Sequence, residues 1–174
     1  GYTGGLVPNK GIDFFLEAIP LVLEKRKDVF FLIGGFPPEK VENFIKENKL
    51  KNYVRLISPL DYFKLPEFLK ICDVAVDPKG SSTNQASGKM LNYMASGLPI
   101  ICFDKLNNRK YLGDGGYFCE GENHAKIAEG ILFFMENREV AKEKGRINKE
   151  NSRKFSWDIP AKRIENIYNK LISK

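Results

Sequence analysis

Short runs of β-branched and aromatic residues alternate along this chain with longer segments in which apolar residues recur at helical spacing. The short runs fall at residues 2–5, 29–33, 54–57, 74–76, 100–103 and 117–119. This alternation is typical of a parallel β-sheet that is covered by helices on both faces. With 174 residues, the chain is long enough for one such domain and too short for two. We therefore predict an α/β fold with a doubly wound, Rossmann-like parallel sheet spanning residues 1–174.

The helical segments are expected to connect these strands and to close the domain. Apolar periodicity predicts helices at residues 12–26, 88–96, 125–136, 139–154 and about 158–172. Trp157 stands beside Phe155 just before the last of them, and we interpret it as a packing anchor for that helix.

Composition and charge exclude several classes of protein. No apolar run approaches the ~20 residues of a membrane-spanning helix. The first residues lack the basic and apolar regions of a secretory signal, so we expect the chain to begin within a longer protein. The net charge of +6 favours anionic ligands, but no aromatic-basic signature of an RNA-binding domain is present, and we expect no nucleic-acid partner.

Three cysteines lie far apart among apolar neighbours, at positions 72, 102 and 119. An odd number of separated cysteines fits small buried residues in the reducing cytoplasm better than a disulfide framework. Their spacing forms neither a zinc site nor a redox pair, so we predict a cytoplasmic protein with no metal site.

Glycine and small polar residues follow three of the predicted strands. These segments are residues 4–11, the pair Gly34–Gly35, and the polar loop that precedes Gly88. Ligands of open parallel sheets bind at the carboxyl ends of the strands, where loops and helix N-termini converge. The sequence therefore predicts a ligand site formed by these segments.

The start of the predicted helix at residues 88–96 is suited to a diphosphate. Ser87, Gly88 and Lys89 supply a hydroxyl, a close approach to the backbone and a cation, next to helical N–H groups that attract anions. Helical spacing is expected to place Lys89, Asn92, Tyr93 and Ser96 on one polar face, opposite Leu91, Met94 and Ala95.

Each of these side chains also has an ordinary interpretation. Lys10 and Lys89 are equally typical of solvated charges in a turn and at a helix start, and Asn92 of a surface amide. Tyr93 either lines the site or fills the core. His124, the only histidine, is interpreted as a surface residue at a helix start rather than as a catalytic base.

Several motifs occur in one order along the chain and together resemble a known family. They are GGLVPNKGID at residues 4–13 and SGKMLNYMASGLPI at 87–100, followed by NNR at 107–109, LGDGG at 112–116 and FSW at 155–157. The pattern resembles the C-terminal lobe of glycosyltransferase family 4, the retaining GT-B enzymes also called glycosyl transferases group 1. The resemblance implies a lobe that binds a nucleoside-diphosphate sugar and faces an N-terminal acceptor lobe, toward which the last helix packs.

The resemblance also implies roles for individual residues. Lys10 matches the lysine that holds the donor diphosphate, aided by backbone N–H groups of Ser87, Gly88 and Lys89. Gly5 lies in the same site and stands where the family commonly has an arginine. The absence of that arginine removes a charge-assisted contact of about 1.5–3 kcal/mol. No metal or other cofactor is implied, and no residue of this chain is assigned as the catalytic base.

Two amides replace carboxylates of the family pattern. Asn84 stands where a glutamate contacts the donor sugar, and Asn92 where a second glutamate contacts the ribose. An amide retains hydrogen bonding without charge. Gln85 and Ala86 are expected to line the sugar site beside Asn84. For the nucleotide base the motifs specify no side chain, and position alone suggests four residues: Gly34, Gly35, Ser58 and Leu60.

Two other functions remain open. The missing glutamates favour a non-catalytic nucleotide-binding or interaction module, and a nucleotide-sugar epimerase shares the GT-B architecture. The acceptor is expected to be a glycan or a lipid-linked molecule. The positive charge also allows peripheral contact with the inner face of a membrane.

Overall fold

The structure, a computed structural model, describes residues 1–80 and 87–172. The strands are β1 (Tyr2–Gly5), β2 (Phe31–Phe36), β3 (Val54–Ile57), β4 (Ala75–Asp77), β5 (Ile100–Phe103) and β6 (Gly116–Cys119). The α-helices are α1 (Ile12–Lys25), α2 (Glu39–Glu47), α3 (Leu65–Lys70), α4 (Gly88–Ala95), α5 (Leu106–Leu112), α6 (His124–Glu136), α7 (Arg138–Ser152) and α8 (Asp158–Ile172).

All paired strands run parallel, in two ladders of order β1-β2-β3 and β4-β5-β6. Hydrogen bonds from Val76 N to Gly1 O (3.0 Å) and from the amino group of Gly1 to Val74 O (2.6 Å) join the two ladders. The strand order is therefore β3-β2-β1-β4-β5-β6, that of a doubly wound dinucleotide-binding sheet. The predicted fold class is confirmed.

Two hydrophobic cores cover the two faces of this sheet. Neighbouring residues along a strand alternate between them: Ile101 packs in one core and Cys102 in the other. The first core is filled mainly from α1 and α6, and the second from α3, α4 and α5. Because strands buried on both faces need a continuous apolar sequence, this arrangement explains the uninterrupted run at β5.

Strand β2 differs from its predicted position. It begins two residues later than the predicted run and continues through Gly34 and Gly35 to Phe36. The glycines belong to the strand because they pair in register with Thr3 and Gly4 of β1. Only glycine fits at either position, since the neighbours leave no room for a side chain. A Cβ at Gly35 would lie 1.9 Å from the carbonyl oxygen of Gly4 on β1, and one at Gly34 would lie 2.6 Å from Leu60.

The segment after residue 156 lies on the outside of the domain, and every described residue of α8 is exposed. Its apolar side chains include Ile164, Ile167, Tyr168 and Leu171, which are between 52% and 64% exposed. Trp157 is 87% exposed, so its predicted role as a packing anchor is wrong within this domain. Phe155 instead provides a contact, with its ring 4.9 Å from that of Tyr111.

Candidate functional site

The turn between β1 and α1 lies directly against the segment that leaves β4. A 3-10 turn at Pro8–Lys10 ends at Gly11, which has a left-handed φ of 79°. A Cβ on Gly11 would lie 1.9 Å from the carbonyl oxygen of Pro78 and 3.0 Å from the amide nitrogen of Lys79. Only glycine satisfies both the dihedral and this close approach. The two carboxyl-end segments thus meet through backbone atoms.

Four lysines surround this contact. Lys10 and Lys105 are half-buried, whereas Lys79 is only 7% exposed. Burial lowers the pKa of Lys79, and the nearby charges of Lys10 and Lys105 lower it further, against the opposing effect of Asp77. Lys105 also lies 3.8 Å from the carboxylate of Glu122. This lysine cluster (Lys10, Lys79, Lys89 and Lys105) concentrates positive charge at the carboxyl edge of the sheet, where Asp77 and Glu122 offset part of it.

Lys89 is the member of the lysine cluster that forms an ion pair in the interior of the domain, with its side chain 12% exposed. Its ammonium lies 3.1 Å from Oδ1 of Asp77 and 3.9 Å from the centre of the Tyr2 ring. Burial lowers the pKa of Lys89, and Asp77 opposes that shift. The aliphatic part of the Lys89 side chain passes beside the end of β1, where a Cβ on Gly4 would lie 3.7 Å from Cδ of Lys89.

The N-terminus of α4 opens toward the same edge. Ser87 is the N-cap, and its hydroxyl makes no capping hydrogen bond to the helix. Gly88 is exposed, and a Cβ added to it would meet no atom within 4 Å. Since the first N–H groups of a helix have no intrahelical acceptor, this end offers donors to an anion in open space.

The predicted faces of α4 are wrong for Lys89, Tyr93 and Ala95. Tyr93 is fully buried and its hydroxyl accepts a hydrogen bond from Thr3 N at 2.7 Å, so it belongs to the core. Lys89 shares that inner side, while Ala95 is exposed. Asn92 is half-buried. The polar pattern misled because buried hydrogen bonds and an ion pair compensate the polar atoms on the inner side of the helix.

The residues predicted near the nucleotide base lie along β2 and after β3. Gly35 pairs with Gly4 at the end of β1, beside the site, and Leu60 packs onto Gly34. Ser58 is half-buried, and its hydroxyl has no hydrogen-bond partner among the described residues. Their role toward a base stays a prediction. Asn84, Gln85 and Ala86, predicted near the sugar, lie outside the described residues.

Sequence reasoning did not single out four residues of this site: Tyr2, Asp77, Lys79 and Lys105. Asp77 and Lys79 lie at and just after the end of β4, and Lys105 lies just after the end of β5. Parallel strands present functional side chains at this position, so that signal was available for all three. Tyr2 gave no signal, because an aromatic residue at the start of a strand is ordinary core material.

Other candidate features lie away from the carboxyl-edge site. A groove of about 410 Å³ runs between α1 and α2, lined by residues including Asp13, Phe44 and Glu47. His124 begins α6 as predicted and lies 3.0 Å from Glu17 on the surface. Within residues 1–80 and 87–172 no three potential metal ligands cluster, and no helix there is long and apolar enough to cross a membrane.

Comparison with known proteins identifies the family. The model of the family described as "Glycosyl transferases group 1" matches residues 1–155, which include every element from β1 to α7. The chain belongs to the glycosyl transferases group 1 family. The resemblance inferred from the motifs is thereby confirmed, and α8 lies beyond the matched part.

Curated relatives of this glycosyltransferase domain are considerably longer than the chain. An uncharacterised glycosyltransferase of Methanocaldococcus jannaschii is 30% identical over 98% of this chain and 47% of its own length. A poly(ribitol-phosphate) α-N-acetylglucosaminyltransferase of Staphylococcus aureus is 29% identical over 97% of this chain and 35% of its own length. The chain thus spans less than half of either relative.

Solved glycosyltransferases share the fold of this domain. TarM of Staphylococcus aureus, in a complex that includes UDP, superposes with a TM-score of 0.80 at 26% identity, covering 97% of this chain and 35% of TarM. The C-terminal domain of a group 1 protein, LpcC from Francisella tularensis, gives a TM-score of 0.74 at 19% identity, covering 88% of this chain and 84% of that one. The second match supports the fold alone.

Proposed function

We propose that this group 1 domain is the donor-binding half of a retaining glycosyltransferase. The full-length enzyme would transfer a sugar from a nucleoside-diphosphate sugar to a glycan or lipid-linked acceptor. One observation carries the proposal: the turn bearing Lys10, the buried Lys79 and the open N-terminus of α4 meet at the carboxyl edge of the sheet. Such a combination of cations and free N–H groups suits a diphosphate.

The proposed chemistry uses the charge that develops on the leaving group. As the bond between sugar and diphosphate breaks, negative charge grows on the phosphate oxygens. Lys10 and the N–H groups around Ser87–Lys89 would stabilise that charge in the transition state, because they are held in place before the reaction. This role requires no metal or other cofactor.

The other half of the active site would come from an N-terminal acceptor lobe. That lobe would supply the group that activates the acceptor, so residues 1–174 alone would bind donor without transferring sugar. The exposed apolar face of α8 is suited to packing against such a lobe. We place the enzyme in the cytoplasm, where its positive charge would support peripheral contact with an anionic membrane face.

The first test is a panel of nucleotide sugars on the full-length protein, scored by product formation. Lys10→Ala is expected to reduce affinity for the matching nucleoside diphosphate by roughly ten- to a hundredfold, the value of a charge-assisted contact. Lys142→Ala is the control, since Lys142 lies on the exposed surface of α7. Unchanged binding and turnover in Lys10→Ala would discard the diphosphate assignment.

A non-catalytic module is the second candidate, favoured by the amides at positions 84 and 92 where the family pattern has glutamates. Nucleotide binding fits both candidates. Sugar transfer by the full-length protein fits only the enzyme, and binding without transfer for any donor of the panel would favour the module.

A further inference from the structure

Tyr2 touches both segments that build the proposed donor site. It is fully buried at the start of β1, and its ring packs against Phe15 with centroids 5.8 Å apart. Its hydroxyl oxygen lies 2.9 Å from the carbonyl oxygen of Gly5 and 3.3 Å from that of Lys10. The hydroxyl therefore sits at both ends of the turn that carries Lys10.

This hydroxyl can restrain the turn. A tyrosine hydroxyl has one proton to donate, so it bonds one carbonyl at a time and remains within reach of the other. The desolvation of Tyr2 raises the pKa of its hydroxyl well above the usual range, which keeps that proton in place. Gly5 and Gly11 flank the turn and lower its stiffness, so an internal restraint has a large effect there.

The ring of Tyr2 is fixed from the second segment. The Lys89 ammonium lies 3.9 Å from the ring centre, and Asp77 holds that ammonium at 3.1 Å. A cation over an aromatic face is attracted to it, more strongly when both are desolvated. Asp77 ends β4 and Lys89 lies in the first turn of α4, so the contacts connect the N-terminus of α4 to the turn after β1.

We propose that Tyr2 is a positioning residue for donor binding. Its hydroxyl fixes the turn so that Lys10 faces the N-terminus of α4, and the Asp77–Lys89 pair holds the Tyr2 ring. The inference rests on the proposed function, since it assumes that a diphosphate binds there. Tyr2 itself touches no substrate. It acts through the backbone of residues 5–10.

The test is Tyr2→Phe in the full-length protein, which keeps the ring and its contacts and removes only the hydroxyl. With UDP as the probe, calorimetry is expected to show a dissociation constant about three- to tenfold higher, the value of one buried hydrogen bond. In steady-state assays the KM for the donor is expected to rise while the KM for the acceptor stays unchanged. Tyr93→Phe removes a second buried tyrosine hydroxyl that contacts β1 but not the turn.

A double-mutant cycle separates positioning from general weakening of the fold. If Tyr2 acts through Lys10, the loss caused by Tyr2→Phe disappears in a Lys10→Ala background, because nothing remains to be positioned. An equal loss in both backgrounds, or an equal loss in Tyr93→Phe, would overturn the proposal. Unchanged affinity in Tyr2→Phe would overturn it too, with the proposed function intact. A parent protein that binds no nucleoside diphosphate would contradict both this proposal and the proposed function.

Discussion

Lys89 and Asp77 form an ion pair in the interior of the domain, with Nζ and Oδ1 3.1 Å apart and side chains only 12% and 1% exposed. Neither atom has an aligned hydrogen bond among the described residues. The pair therefore depends on mutual attraction to offset the desolvation of both charges. Removing one partner leaves the other charge buried without compensation.

Replacing Lys89 alone is expected to destabilise the fold strongly. Lys89→Met should lower the free energy of unfolding by about 3–5 kcal/mol, because the Asp77 carboxylate then stays buried unpaired. The double variant Asp77→Asn with Lys89→Met should recover most of that loss. Urea unfolding of the parent, Lys89→Met and the double variant measures the free energy of unfolding of each. A double variant as unstable as Lys89→Met would show that the pairing of charges is unimportant.

Lys79 is expected to contribute positive potential to the proposed donor site. Lys79→Met keeps most of the apolar side chain and removes the charge, so the affinity for UDP should fall by about three- to tenfold. Because Lys79 is only 7% exposed, added salt should screen this contribution less than that of a surface lysine. Titrations at low and high salt, beside Lys142→Met, measure the effect. Equal affinity in both variants would contradict it.

Gly88 offers a test that leaves the fold unaffected. A methyl group there meets no atom of the described chain, so Gly88→Ala should change the free energy of unfolding by no more than about 0.5 kcal/mol. If a diphosphate binds at the N-terminus of α4, the same methyl group occupies its space, and UDP affinity should fall. Lys142→Ala, on the exposed surface of α7, is the control away from this site. Parent-like UDP affinity in Gly88→Ala would place the anion elsewhere.

The buried cysteines are expected to resist alkylation in the folded protein. Burial raises the pKa of Cys119 to about 12 and that of Cys102 well above its usual range. Since only the thiolate reacts, Cys119 should react about a thousandfold more slowly at pH 8 than in urea. Cys72, which is half-buried, should be labelled first, as mass spectrometry can show. Early labelling of Cys119 would contradict its burial.

The same shift has a consequence for stability in alkali. The folded pKa of Cys119 lies above the unfolded value of about 8.5, so the folded state retains a proton that the unfolded state loses. Its contribution to stability is complete below about pH 8.5 and is lost as the pH rises toward 12. A Cys119→Ala variant should lose less stability across that range than the parent.

Hydrophobic periodicity predicted most of the fold, because the burial of one or two faces of a helix or strand determines where apolar residues recur in the sequence. The bounds of β3 and β5 agree with the prediction to the residue. The end of β2 was less predictable. Gly34 and Gly35 are typical of a loop, and only the neighbouring Leu60 and the Gly4 carbonyl explain them within a strand.

The candidate site was predictable where it follows strand ends and less so where it depends on tertiary contacts. Lys10 and Gly88 were identified from their position in motifs. The inward direction of Lys89 was not, because it depends on Asp77 and Tyr2, which are distant in sequence. Trp157 was misjudged for a related reason: within the described residues its segment lies on the surface, where periodicity does not indicate what it packs against.

The close contact between Gly11 and Pro78 also bears on how this domain could be redesigned. Main-chain atoms on both sides define the distance between the two segments, and unlike side chains they have no rotamers with which to widen it. If the proposed donor binds there, substitutions aimed at accepting a different one would have to act through side chains near these segments, such as that of the half-buried Asn92, while the separation of the two backbones stays constant.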